Sequence, residues 1–220
     1  MSQSTRRSTP SRFGAFADPV IAAQLLRSVA LDLTRRVEHR LPGIAESFAR
    51  RVVVCANGDH LVGWLGSYVS PAWQTGNEQF DKLTVAVRHA ADQDPDPTVY
   101  ARGVLSTLAH EIGHSYTRVC GLEGTTGPGR VRHTESFARV ATRLGLHVVR
   151  RPDQQAVIST PSLSPRGRAD FADLVARLAQ GNLGRTSGIG LAGPDRFHEH
   201  IAPAAFAPPL PSSTSSVFTR

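Results

Sequence analysis

His110, Glu111 and His114, within the stretch LSTLAHEIGHSYTRV, are the residues whose types and spacing could do chemistry. On a helix, an HExxH pattern sets two imidazoles four residues apart on one face, where both reach a single metal ion. The carboxylate between them then lies beside the metal, placed to take a proton from a bound water. That is the minimal layout of a zinc peptidase. With nine His and seven Glu in the chain, chance alone would produce the pattern in roughly one random chain in a hundred. The weight of the motif therefore depends on what surrounds it.

Two features of that context count in its favour. Ala101, Leu105, Leu108 and Ile112 recur at helical spacing and form an apolar stripe that should pack on a sheet. At about 100° per residue, His110 and His114 lie nearly opposite that stripe, on a face that another element must cover. A catalytic zinc ion takes three protein ligands and keeps one position open. His133 is the candidate third ligand, because it stands at the start of the next helix after the glycine-rich loop GLEGTTGPGRVR. That loop lets the new helix fold back across the two histidines, with Phe137, Val140, Ala141 and Leu144 as its apolar stripe.

The order HEIGH, a glycine-containing loop, then RHTESFARVATRLGLHV resembles the SprT-like zinc metalloprotease family, to which Spartan belongs. The shared pattern is HExxH followed by a His, a short polar run, a Phe and a helix ending in Gly-Leu. Here it reads His133-Thr134-Glu135-Ser136-Phe137 and Gly145-Leu146, with LGSYVSPAW and KLTVAV at the expected places upstream. The resemblance spans about Asp18 to Val149. It implies a minimal zincin-like domain in which His110, His114 and His133 bind Zn2+ and Glu111 is the catalytic general base. It also implies a connection to DNA, because Spartan-type members degrade proteins crosslinked to DNA. Other members carry a zinc ribbon after the catalytic domain, where this chain has no cysteines to build one.

The elements that must position these residues can be read from periodicity and punctuation. Residues 1–16 read as a disordered tail. Asp18 and Pro19 can open a helix carrying Ile21, Leu25, Val29, Leu33 and Val37, ended by Pro42-Gly43. Val52 to Cys55 reads as a strand, Asn57-Gly58 as a hairpin turn, and Leu61 to Val69 as the second arm. Pro71 and QTGNEQ read as a loop, and Leu83 to Val87 as a third strand. A helix from Thr98 to about Val119 is closed by Gly121, a second runs over Thr134–Leu144, and a last one lies near Arg168–Ala179. Strands ahead of the main helices predict an α+β fold. The expected organisation is a metallopeptidase domain over 17–150, an extension with one helix over 151–180, and a flexible Gly/Ser/Pro-rich tail over 181–220.

Composition narrows the partners. Hydrophobic residues make up 40% and charged residues 20% of the chain, as in an ordinary globular protein. No apolar run is long enough to cross a bilayer, and no apolar segment follows Arg6-Arg7 as a secretory signal would need. Cys55 and Cys120 are the only cysteines, which excludes a disulfide framework and suits a reducing cytoplasm. The net charge is +7 and Lys82 is the only lysine. So much arginine is either a footprint for nucleic acid, with nucleoid or chromatin association, or a scattered solvated surface. A monomer acting on a protein or peptide substrate is expected. The rival expectation is a DNA- or protein-binding module whose zinc site is not catalytic.

Other residues rank lower. His198-Glu199-His200 lies in the tail, and Cys55 with His60 flanks a turn. Asp92, Asp94 and Asp96 alternate toward Pro97 and read as a helix-capping loop rather than a calcium site. Tyr68, Tyr116 and the arginines are candidate oxyanion donors. Trp64 and Trp73 are candidate cleft walls, with core or loop packing the more ordinary role for each.

Overall fold

A computed structural model describes residues 19–56, 65–89, 96–127, 132–151, 157–181 and 183–184. The fold is mixed α+β. Helix α1 (Pro19–Val37) buries Ala22, Leu26, Val29, Ala30, Leu33 and Val37 at helical spacing. Of the expected stripe, Val29, Leu33 and Val37 are fully buried and Leu25 packs against the core, whereas Ile21 is 64% exposed. A short helix, α2 (Ile44–Arg51), follows Gly43, which adopts a positive φ of 81°. Only Ile44 and Phe48 anchor it, too few positions to make a legible period.

Strand β1 (Val52–Ala56) leads to β2 (Gly66–Thr75) and β3 (Glu78–Val85) in a sheet of order β1-β3-β2. The expected β1–β2 hairpin does not form. β1 runs parallel to β3, and β2 pairs antiparallel with β3 across the Gly76-Asn77 turn. The two residues of that turn, with Gly76 at φ 60°, make the tight connection that two-residue hairpins favour. Pro71, Gln74, Thr75, Glu78 and Gln79 are thus strand, and of the expected loop only Gly76-Asn77 is a turn, with a register shift between Val69 and Trp73. Asn57, Gly58, His60 and Trp64 lie outside the described residues, as do Asp92, Asp94, His198, Glu199, His200 and most of both expected tails.

After β4 (Arg88–His89), helix α3 (Pro97–Val119) opens on Asp96, whose side chain accepts the Thr98 N–H at 2.8 Å, with Pro97 in the first turn. It closes at Gly121, φ 64°, where the Leu122 N–H reaches the Thr117 carbonyl. Strands β5 (Thr125–Thr126) and β6 (Arg132–His133) pair and deliver the chain to α4 (Glu135–Arg143). Beyond it come the antiparallel pair β7 (Leu146–Arg151) and β8 (Val157–Leu163), which the pattern of residues did not predict. The final helix is broken at Phe171 into α5 (Pro165–Asp170) and α6 (Ala172–Gln180), with β9 (Leu183–Gly184) after it.

One apolar core runs from Ala22 on α1 to Leu178 on α6. Helix α3 is its axis and packs against α6, α4, β2, β3 and β8. The stripe Ala101, Leu105, Leu108 and Ile112 is at most 1% exposed. Among the described residues, no helix is long and apolar enough to cross a membrane.

Candidate metal centre

The HExxH residues occupy the second half of α3, and His133 stands two residues before the first residue of α4. Thr134 caps that helix, its hydroxyl accepting the Phe137 N–H at 3.3 Å, while its own N–H is held by the Gly124 carbonyl at 3.0 Å. This double anchorage turns α4 back over α3. One ligand atom from each of His110, His114 and His133 then lies within 4.8 Å of the other two. His114 and His133 are 4% and 5% exposed, and Glu111 is 3% exposed.

The nitrogen positions suit a cation. His110 Nε2 and His114 Nε2 are 3.2 Å apart. Two Zn–N bonds of ordinary length at the tetrahedral angle would separate their nitrogens by about 3.3 Å. His133 Nδ1 lies 2.9 Å from the Ile158 carbonyl, which can only accept, so Nδ1 donates and Nε2 is the nitrogen left to act as a ligand. His110 Nδ1 lies 2.6 Å from Thr160 Oγ1. Outer hydrogen bonds of this kind are what orient metal-ligating imidazoles. Three imidazole nitrogens could hold one divalent transition-metal ion.

The face of α3 expected to need a cover receives two covers. Phe137 of α4, fully buried, stacks on His133 and His114 at centroid separations of 4.2 and 4.3 Å and meets His110 edge-on at 5.0 Å. Strand β8 supplies the other cover through Ile158 and Thr160. Gly113, inside HEIGH, allows the first of these contacts: a Cβ there would stand 3.1 Å from the Phe137 ring. Gly66 on β2 comes still closer to the motif, since its Cβ would lie 2.5 Å from Glu111 Oε1 and 2.6 Å from Thr107 Cγ2.

The remaining candidates have other duties. The Tyr68 hydroxyl donates to Asp81 Oδ2 at 2.7 Å, and burial above all raises its pKa. Ser70 donates to the other oxygen of the fully buried Asp81 and accepts Arg118 Nε at 2.6 Å. Tyr116 donates to the Pro42 carbonyl at 3.1 Å, and burial followed by the Cys120 thiol pushes its pKa up to about 12. Asp96 caps α3, Trp73 is 45% exposed on β2, and Cys55 is half-buried. Thr160, Gly66 and the Ile158 carbonyl were missed by sequence reasoning. Only the close packing of β-branched residues in VISTPSL hinted at the strand that carries two of them.

No family model, curated protein or solved structure matches the chain.

Proposed function

We propose that this chain is a zinc-dependent endopeptidase of SprT-like type with a minimal zincin-like domain. His110, His114 and His133 hold the metal, and Glu111 is the general base. The observation that carries the proposal is the convergence of three imidazole nitrogens within 4.8 Å, with Glu111 next to the first of them. A bound zinc ion would supply a Lewis acid that lowers the pKa of water and polarises the scissile carbonyl. Glu111 would accept the proton of the attacking water and return it to the leaving amine. Gly66 leaves the space in which that carboxylate sits. Phe137 lays apolar surface against the three rings.

An enzymatic site is favoured over a structural one because closed structural zinc takes four protein ligands. The group found among the described residues has three. For the substrate class, a net charge of +7 carried almost wholly by arginine supports proteins held on nucleic acid.

The deciding experiment pairs metal analysis with a casein or self-cleavage assay on the wild type and Glu111→Gln. Wild type should hold about one zinc per chain. The variant should keep the metal while cleaving about 100-fold more slowly or worse. Full activity in Glu111→Gln would refute the mechanism. The same assay with and without single-stranded DNA tests the substrate class: cleavage and binding indifferent to DNA at moderate salt would remove it.

A further inference from the structure

Thr160 reaches the His cluster from a strand fifty residues beyond His110 in sequence. The ladder between β7 and β8 explains how. Val149 faces Ser159 and His147 faces Ser162, so a two-residue step on β7 is matched by a three-residue step on β8. The extra residue falls at Thr160-Pro161, a β-bulge, and bulges re-aim side chains out of the regular alternation. Pro161 suits that position because it has no N–H to give to a ladder. The result is a hydroxyl, on a residue 4% exposed, set 2.6 Å from His110 Nδ1.

The same strand touches a second ligand. The Ile158 carbonyl forces the proton of His133 onto Nδ1. A hydroxyl exerts no such compulsion, because it can donate or accept. On the other side of the ring His110 Nε2 faces His114 Nε2 at 3.2 Å, so the direction of the Thr160 contact sets what His110 offers to the cluster. If Nδ1 of His110 donates to Thr160, its Nε2 presents a lone pair to the centre of the cluster.

Resting on the metal-site reading above, we propose that Thr160 is a positioning residue of the centre. Its hydroxyl accepts the His110 Nδ1–H and fixes Nε2 as the ligand atom. Strand β8 thereby orients two of the three imidazoles before any ion arrives. The metal centre then depends on the β7–β8 pair as well as on the two-helix motif.

The test uses the full chain as wild type, Thr160→Val, Thr160→Ser and His133→Ala. Zinc affinity is measured by competition with a chromophoric chelator, folding by far-UV circular dichroism, and the His110 tautomer by nitrogen–proton correlation in zinc-free protein. Thr160→Val, which keeps the shape but not the hydroxyl, should bind zinc about 10–100-fold more weakly with its helix content unchanged. Thr160→Ser should stay near wild type, and zinc-free wild-type His110 should be the Nδ1–H form. Wild-type affinity in Thr160→Val, alongside lost affinity in His133→Ala, would overturn the role of Thr160 and leave the metal site standing. If Thr160→Val does not fold, a His110 protonated on Nε2 in zinc-free wild type overturns it instead. Absence of zinc binding by the wild type would remove the metal-site reading, and this inference with it.

Discussion

Gly66 on β2 is the residue against which the Glu111 carboxylate rests: any Cβ at position 66 would stand 2.5 Å from Glu111 Oε1. The same atom would stand 2.6 Å from Thr107 Cγ2, and Thr107 is tied in its rotamer by the hydrogen bond from its hydroxyl to the Gly103 carbonyl at 3.1 Å. In Gly66→Ala, therefore, the longer and softer Glu111 side chain is the one that moves. The three atoms nearest to such a Cβ belong to Glu111 and Thr107 and none to a histidine, so zinc content should stay near wild type. Peptide cleavage should fall about 10–100-fold through misplacement of the base, with overpacking costing about 1–3 kcal/mol of stability. Metal analysis and kcat on one preparation check this; unchanged kcat would show that Glu111 does not work from this position.

Phe137 joins packing to the three-histidine cluster in a different way. It is fully buried in the core and faces all three imidazoles. Phe137→Ala should cost about 3–5 kcal/mol of stability through the cavity it leaves, and zinc affinity should weaken with it because the rings lose the surface that orients them. Phe137→Leu should recover most of the stability and less of the affinity. Denaturant midpoints and chelator competition separate the two. Equal recovery of both would mean that Phe137 acts on the metal only through the core.

A site formed by α3, β6 and the α4 cap should couple zinc to folding, since an ion that binds only the folded chain stabilises it by mass action. With free zinc about a thousandfold above its dissociation constant, the gain is about 4 kcal/mol. For a chain of this size that raises the melting temperature by about 10 °C. Thermal unfolding with zinc and with excess EDTA measures it. His133→Ala should show no such difference, and a shift that persists in that variant would place the ion elsewhere.

What could be read in the residue order was local. Asp96-Pro97 and Gly121 mark the two ends of α3, and Thr134 marks the start of α4, because caps and left-handed stops are short-range signals. From those ends follows the approach of His133 to His110 and His114. What stayed hidden was non-local. Val52–Ala56 carries the same β-branched pattern whether it pairs parallel to β3 or antiparallel to β2. The bulge at Thr160-Pro161 exists only relative to β7, and no spacing in the chain announces that its hydroxyl meets a histidine fifty residues earlier. Gly66 shows its purpose only beside Glu111.

The last helices are fastened to the first by charge as well as by apolar contact, and this makes their docking sensitive to acid. Arg36 grips Asp173 at 2.6 and 2.5 Å, Arg40 holds Asp170 at 2.7 Å, and Arg177 holds Asp32 at 2.7 Å. Hydrogen bonds from Arg177, Arg40 and Arg36 respectively hold the carboxyls of Asp32, Asp170 and Asp173 below the usual aspartate value of 3.8. A carboxyl with a depressed folded pKa contributes stability that is fully present above its unfolded pKa. That contribution is lost as the pH falls through the folded value. Stability from these pairs should accordingly be flat from neutrality to about pH 5 and decline below the ordinary aspartate range. Asp173 is 65% exposed and the other two carboxylates 30%, so each pair contributes no more than about 1 kcal/mol. In 1 M salt, where screening acts within about 3 Å, the contribution should shrink further. Urea midpoints between pH 2.5 and 7 at low and high salt, for wild type and Asp173→Asn, provide the check. The variant should be slightly less stable at pH 7 and indistinguishable from wild type at the acid end. A difference that instead grew as the pH fell would mean that Asp173 is held by something other than the Arg36 charge.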